Sequence, residues 1–376
     1  GRALAEALNL PFLDLDAEIE SREGMPIPQI FAARGESGFR QAERAALAAV
    51  CRDPQERVVA LGGGALLDER NRTLAEAHGT VLLLHASLET LAARLAEDAN
   101  VRPLVEGGQR TMDDRPRMAD GARQATEEPP ERQRLAHLLA MRKAHYDSFP
   151  LRLESDAPLA ELVWRAQAAL GRFRVTGMGA PYAVRVQAGG LDSLGEHLTR
   201  LGLRGPVALV TDENVGALYA RRALESLQSR GFPAQAVVIP AGEAHKTLET
   251  VTRLWEAFLR IGVERGSTVV ALGGGVVGDL TGFAAATFLR GVPWVNVPTS
   301  LLAMVDASLG GKTGADLPQG KNLIGAFHAP RLVLADPETL STLPEAEMRN
   351  GMAEVIKHGV IGDPALFEIA RQGRLP

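Results

Sequence analysis

The heptapeptide Val-Val-Ala-Leu-Gly-Gly-Gly stands twice in this chain, at 58–64 and again at 269–275. Each copy predicts a short buried strand that runs straight into three glycines. A strand end stripped of side chains lets a ligand lie against backbone amides, as α/β folds do with anionic or hydroxylated small molecules. Two such edges predict two active sites. Nothing outside the heptapeptide aligns: Arg-Asp-Pro-Gln-Glu-Arg precedes the first copy and Glu-Arg-Gly-Ser-Thr the second. The copies therefore belong to two different modules rather than to a tandem repeat.

A length of 376 residues favours two or more domains. The net charge of −5 gives no reason to expect nucleic acid, whose binders carry a basic stripe. The single cysteine, Cys51, excludes an intrachain disulfide framework and suits a reducing cytoplasm. It reads as a small semi-buried residue in preference to a nucleophile. No apolar run approaches the ~20 residues that span a bilayer, and no basic-then-apolar leader precedes the first element. Gly1–Leu10 is helical in pattern with nothing before it to cap a helix, and the chain stops soon after Leu366–Ala370. A fragment cut at both ends is expected.

Residues 1–170 alternate strand and helix. Phe12–Leu15, Val58–Leu61 and Val81–Leu84 read as strands, and Phe39–Val50, Leu88–Glu97, Glu131–Tyr146 and Leu159–Leu170 as helices. Such alternation predicts a parallel sheet covered by helices. The stretch 105–130, rich in Gly, Pro, Arg and Asp with no apolar period, is expected as a lid or a disordered insert. A linker is expected over 171–181. A second series follows, with strands near Val207–Thr211, Ala236–Ile239, Thr268–Leu272, Trp294–Val297 and Leu332–Ala335. Its helices start near Glu213, Thr247, Val276 and Ser300. After Leu343 the pattern turns helical, which gives domains over 1–170 and 182–343 and the start of a third over 344–376.

In the first module, Phe12-Leu-Asp-Leu-Asp16 would put Asp14 and Asp16 on one face at the carboxyl end of a strand. One could position a metal-bound nucleotide and the other accept a proton from a substrate hydroxyl. Taken alone, a solvated strand end is the commoner meaning. Gly35-Glu-Ser-Gly-Phe-Arg40 offers a turn and then an arginine at a helix start, and Arg142 lies on another helix. Two arginines beside a bare strand end would take a planar carboxylate and its neighbouring hydroxyls by forked hydrogen bonds. A single arginine is more often a surface residue.

In this order the segments resemble the shikimate kinase family over about 1–170, through Pro-Phe-Leu-Asp-Leu-Asp, Gly-Glu-x-x-Phe-Arg, Gly-Gly-Gly, Arg102-Pro-Leu and Arg-x-x-x-Tyr. The resemblance implies a P-loop-kinase-like parallel sheet with ATP and Mg as co-substrate. It implies that Asp16 meets the shikimate hydroxyl to be phosphorylated. Arg40, Gly64 and Arg142 would hold shikimate, and Arg102 would be the lid arginine that meets ATP. The family's Gly-x-x-x-x-Gly-Lys-Ser/Thr phosphate loop is absent, so the nucleotide cradle and its lysine are missing. The lid is longer than the family norm, and Arg115-Pro116 competes with Arg102-Pro103 as its anchor. As it stands, this module is not expected to phosphorylate anything.

The second module carries denser motifs. Thr211-Asp-Glu-Asn214 follows a strand, where an aspartate takes a ribose hydroxyl. Glu243 and Lys246 stand three apart after another strand. Gly273-Gly-Gly-Val-Val-Gly278-Asp279 opens a helix and offers free N–H groups and a positive dipole end to a pyrophosphate. A glycine run alone is equally a tight structural turn. Gly310-Gly-Lys-Thr-Gly314 looks like half of a phosphate loop, but Asp306 stands where the first glycine would, and that reading is rejected. On a helix, Glu354 and Lys357 share a face.

This series resembles the 3-dehydroquinate synthase family from about Pro181 to Ala370. The shared motifs are Gly-Glu-x-x-Lys, Gly-Gly-Gly-Val-Val-Gly-Asp, Gly-Gly-Lys-Thr-Gly, Gly-Lys-Asn-Leu-Ile-Gly-Ala-Phe and Ala-Glu-Val-Ile-Lys. Glycerol-dehydrogenase-like enzymes share the cofactor glycines but not the lysine-rich tail. The resemblance implies a Rossmann-like NAD-binding α/β domain running into the start of a helical metal-binding domain. Its NAD site would comprise Asp212, Asn214, Glu243, Lys246, Gly275, Gly278, Asp279, Thr299, Ser300 and Thr342, with Lys312 and Lys321 between cofactor and substrate. Ser300 replaces the family's usual second threonine and keeps the hydroxyl. Arg290, Asp306, Lys312, Asn322 and Lys357 would hold a phosphorylated sugar acid, Lys312 and Lys357 acting in catalysis.

Glu354 would be one ligand of a divalent metal, zinc or cobalt. A catalytic zinc site needs about three protein ligands. In the family the other two are histidines beyond Pro376; His358 is adjacent but is expected to point elsewhere. The implied reaction oxidises a ring alcohol transiently, which acidifies the neighbouring C–H so that phosphate leaves, then reduces the ketone and closes the carbocycle by an aldol step.

The expectation is a cytoplasmic fusion enzyme in the route to chorismate and aromatic amino acids. It would act on small molecules, without nucleic acid or membrane, and a homodimer through the synthase segment is left open. The rivals are a metal-dependent polyol dehydrogenase with a kinase-like appendage and a non-catalytic nucleotide-binding scaffold.

Overall fold

In the first of two units, Gly1–Leu170, the helix Arg2–Leu8 ends on Asn9 in the left-handed conformation (φ 54°), and the chain turns into β1, Phe12–Asp14. The computed structural model describes residues 1–97, 130–177 and 179–373. β1 pairs in parallel with β2, Val58–Ala60, and β3, Leu83–His85, pairs in parallel with β4, Arg152–Glu154. Leu15, Ile19, Ile30, Phe39, Ala46 and Leu47, from the helices Leu15–Glu23 and Ile27–Arg52, form one core with Leu66 and Phe149. Full burial of a side chain of this size contributes about 1.5–3 kcal/mol.

Two local details depart from expectation. Asp14 does not share a strand face with Asp16: its Oδ1 accepts the N–H groups of Asp16 (3.0 Å) and Ala17 (3.4 Å) and so caps the helix Leu15–Glu23. The short side chain finds local donors and ends the strand, which puts Asp16 in the first helical turn. The turn at Gly35 is a break inside the long helix Ile27–Arg52, with φ 68° and ψ −175°. Only a residue without Cβ takes that conformation readily.

The second unit, Gly171–Pro376, holds a seven-stranded sheet. Its strands are β5 (Arg172–Val175), β6 (Tyr182–Val186), β7 (Arg204–Asp212), β8 (Ala234–Ile239), β9 (Ser267–Gly273), β10 (Trp294–Pro298) and, after a separate hairpin of β11 (Lys312–Leu317) and β12 (Gly320–Phe327), β13 (Leu332–Ala335). The order is β5-β6-β13-β10-β9-β7-β8, parallel except for β5. The linker expected over 171–181 is therefore partly sheet. Phe173 and Val175 alternate on β5 and pack beside Tyr182, Val184 and Val333.

β9 is buried at every position, as befits a parallel strand covered on both faces. The helix Leu248–Ile261 starts on Thr247, whose hydroxyl accepts the Thr250 N–H, and ends on Gly262 at φ 80°. Its Val251, Leu254 and Phe258 recur at helical spacing and join the core under the sheet. From β7 the chain winds out to β8 and then returns past β7 to β9, so the winding reverses between β7 and β9. Open α/β sheets bind ligands outside the carboxyl ends of the strands at such a reversal. Asp212 ends β7 and Gly273 ends β9. The hairpin β11–β12 is not foreseen by the strand pattern, and the helices Glu345–Gly362 and Pro364–Arg371 follow β13. No helix among the described residues is long and apolar enough to cross a membrane.

Candidate active sites

In the first unit the glycines after β2 lie among side chains from three helices. A Cβ on Gly62 would come 3.4 Å from Asp16 Oδ1, and one on Gly64 would come 3.0 Å from Arg40 Nη2. Tyr146 donates its hydroxyl to the Gly63 carbonyl at 2.9 Å. Arg142, one turn before Tyr146 on the helix Pro130–Asp147, is half-buried on the same face. Asp16, Arg40 and Gly64 are thus brought together. The edge offers a cation for an anionic group and a carboxylate for a hydroxyl. Arg102 lies outside the described residues, as does the stretch 105–130 apart from Pro130, which opens a helix.

Glu43, not singled out from the sequence, is the enclosed partner of this edge. It is 2% exposed, and its Oε2 lies 2.9 Å from Arg40 Nη1. Burial pushes its carboxyl up, Arg40 opposes, and the nearby Asp16 and Asp68 push it further up. The spacing Arg40–Glu43 is one helical turn, which is the signal that could have found it.

In the second unit, Asp212 Oδ1 accepts the N–H groups of Asn214 and Val215, both at 2.9 Å, and fixes the turn after β7. The helix Gly275–Thr287 leaves directly from the glycine end of β9. Around that edge, a Cβ on Gly274 would come 3.5 Å from Ser300 Oγ, one on Gly275 3.4 Å from Ala307 Cβ, and one on Gly278 3.2 Å from Asn296 Nδ2. Thr299 donates its N–H to the Gly273 carbonyl at 3.0 Å, and Ser300 Oγ accepts the Ala303 N–H at 3.3 Å. Thr342 Oγ1 lies 2.6 Å from the Tyr219 hydroxyl, beside the segment that follows Asn214.

Lys246 is 4% exposed and lies 2.6 Å from Asp279 Oδ2. Burial raises the Asp279 carboxyl above its ordinary range; Lys246 and, further off, Lys312 oppose, while Glu243 adds to the rise. Lys246 Nζ also donates to Asn322 Oδ1 at 2.5 Å, and Lys321 Nζ lies 3.0 Å from Glu243 Oε1. Glu243, Lys246, Asp279, Lys312, Lys321 and Asn322 therefore converge, because the unforeseen hairpin carries three of them to the carboxyl edge of the sheet. Arg290 stands on an exposed turn at φ 71°, and its guanidinium makes no hydrogen bond or ion pair among the described residues.

Lys357 pairs with Glu354 Oε2, and Glu354 first, then Asp306, hold its ammonium form upward. Asp306, Glu354 and His358 each offer a ligand atom, all within 4.8 Å of one another. His358 does not point elsewhere: it is four residues after Glu354, the spacing that stacks side chains on one helix face. Two carboxylates and an imidazole suit a divalent transition ion.

The family model of shikimate kinase matches residues 1–149, and that of the 3-dehydroquinate synthase N-terminal region matches 236–350. A 3-dehydroquinate synthase of Synechocystis sp. is 53% identical over 188 residues, covering 50% of this chain and 52% of the relative. The chain thus spans about half the length of the curated relatives it matches. Among solved structures, ValA, a 2-epi-5-epi-valiolone synthase of Streptomyces hygroscopicus with NAD+ and Zn2+ bound, is 33% identical, covers 54% of this chain and 59% of its own, and has a TM-score of 0.48. A shikimate kinase of Acinetobacter baumannii in complex with shikimate is 31% identical, covers 45% of this chain and 84% of its own, and has a TM-score of 0.37.

Proposed function

Because the chain joins a shikimate kinase segment to a 3-dehydroquinate synthase segment, we propose that it serves two steps of the shikimate route on small-molecule substrates. The second unit binds NAD across the carboxyl ends of β7 and β9 and takes a phosphorylated heptulosonate toward 3-dehydroquinate and phosphate. The observation that carries this reading is the convergence of Lys246, Asp279, Lys312 and Asn322 beside the bare glycine edge.

When bound, NAD supplies reversible hydride acceptance, and a divalent cation, zinc or cobalt, polarises the oxygen it touches. Asp306, Glu354 and His358 would hold that cation. Asp212 and Asn214 would take ribose hydroxyls, and the helix start at Gly275 and Gly278 the pyrophosphate. Thr299, Ser300 and Thr342 would add hydroxyl contacts, with Glu243 and Lys321 at the rim. Lys312, Lys357, Arg290 and Asn322 would neutralise or bind the carboxylate, phosphate and hydroxyls of the sugar acid. An exposed arginine on the Arg290 turn suits the outermost anionic group.

The first unit binds shikimate, with Arg40 and Arg142 on the carboxylate, Gly64 giving backbone approach and Asp16 facing the reactive hydroxyl; Arg102 would meet ATP. A cytoplasmic setting and a homodimer through the synthase segment complete the proposal.

Calorimetry with NAD and, separately, with shikimate is the test. Absence of NAD binding would sink the second-unit reading, and absence of shikimate binding the first. Release of inorganic phosphate without net change in NAD supports the synthase chemistry, whereas NADH accumulating with a simple alcohol would point to a polyol dehydrogenase.

A further inference from the structure

Lys246 holds both sides of the second unit's cleft at once. On one side its buried ammonium meets Asp279 Oδ2 at 2.6 Å, in the helix that leaves the glycine edge. On the other it donates to Asn322 Oδ1 at 2.5 Å, on β12 of the hairpin. The same hairpin returns to the lysine through the backbone: the Asp316 N–H donates to the Lys246 carbonyl at 2.7 Å. Asp316 Oδ1 in turn accepts the Asn322 N–H, also at 2.7 Å. These contacts form a closed ring through Lys246, Asn322 and Asp316.

A buried ammonium is costly unless paired and hydrogen-bonded. Here the pairing carboxylate belongs to the cofactor edge and the accepting amide to the substrate hairpin, so neither partner can move without leaving the charge undersatisfied. Asn322 sits at φ 55°, a conformation asparagine tolerates better than most residues, and the ring keeps it there.

We infer that Lys246 is a positioning residue: it sets the Asn322 side chain on the substrate hairpin from the cofactor edge, and thereby couples binding at the two. The inference rests on the reading of the β7–β9 edge as an NAD site. Linkage requires the coupling to be reciprocal. A ligand that takes contacts from Lys246 or Asp279 alters the hairpin, and a ligand on Asn322 alters NAD affinity by the same factor.

The test is amide hydrogen exchange over Gly320–Phe327 in the full chain, for the parent, Lys246→Met, Asn322→Ala and the double variant. Without NAD, each single substitution should speed exchange there about tenfold, the size of a lost charge-assisted hydrogen bond, and the double variant should be no faster than the faster single. β9 should be unaffected. Rates that multiply in the double variant, or that rise equally in β9, overturn the positioning role.

With saturating NAD, exchange in the parent hairpin should change by about fivefold or more, and that response should vanish in both single variants. An unchanged parent hairpin while calorimetry registers bound NAD overturns the coupling. If calorimetry registers no NAD, the site reading fails by itself, and the NAD-free arm still decides whether Lys246 positions Asn322. Should Lys246→Met fail to fold, Lys246→Arg, which keeps the charge but cannot place a single donor on Asn322 Oδ1 in the same way, must reproduce the local effect.

Discussion

Arg40 Nη1 lies 2.9 Å from Glu43 Oε2, while the same guanidinium stands within 3.1 Å of where a Cβ on Gly64 would be. The arginine is thus held from behind by a buried carboxylate and faces a strand end that only glycine leaves open. Gly64→Ala should displace Arg40 without unfolding the unit, because the clashing atoms are the far end of a flexible side chain. Shikimate affinity is expected to fall about tenfold, the worth of one charge-assisted bond. Calorimetry with shikimate checks it, and unchanged affinity would remove Gly64 and Arg40 from the site.

The burial of Glu43 gives the first unit a pH signature. Its folded carboxyl is raised above the unfolded value, first by desolvation, then by Asp16 and Asp68 against the pull of Arg40. A carboxyl raised in this way contributes stability that is fully present below the unfolded pKa, about 4.3, and is lost as pH rises through the folded pKa. Glu43→Gln removes that loss. Relative to the parent, the variant should gain stability as pH increases from acid toward neutrality, read from denaturant unfolding of the first unit. A difference that is flat or falls with pH would contradict the burial argument.

What the residues alone disclosed depended on how local the controlling interaction is. β9 was legible because a seven-residue buried run ending in glycine has one good place in an α/β sheet. The two aspartates of Phe12–Asp16 depart from strand alternation because Asp14 accepts the Asp16 N–H as a helix cap. The hairpin β11–β12 is not legible in the residues alone, because Lys312–Leu317 lacks apolar alternation and its pairing runs across the turn at Pro318-Gln319. The meeting of Lys321 and Asn322 with Glu243 and Lys246 depends on that non-local pairing. Glu43 and His358 were within reach of helical arithmetic, at i+3 from Arg40 and i+4 from Glu354.

Gly282 tests the packing that seats the hairpin. A Cβ there would come 2.4 Å from Thr313 Cγ2 and 2.9 Å from Trp294 Cη2. Gly282→Ala should lower stability by about 1–3 kcal/mol net, because overpacking at this separation outweighs the ~1 kcal/mol that alanine gains over glycine in a helix. Gly362, at the end of the helix Glu345–Gly362, has nothing within 4 Å, so Gly362→Ala should hold or raise stability. Thermal melts of the two variants decide between these outcomes; a neutral Gly282→Ala would mean that the helix Gly275–Thr287 and β11 are not in close contact.

Cation binding tests the cluster at the start of the helical segment. Asp306, Glu354 and His358 offer ligand atoms within 4.8 Å of one another, but Lys357 already pairs with Glu354. An incoming cation must share or displace that ammonium, whose positive charge opposes it. Cobalt added to the full chain should therefore give a visible absorption band that is lost in Glu354→Gln and weakened in His358→Ala. In Lys357→Met the band should saturate at a lower cobalt concentration than in the parent. If Glu354→Gln binds cobalt as the parent does, the metal lies elsewhere; if Lys357→Met weakens binding, the lysine assists the ion rather than competing with it.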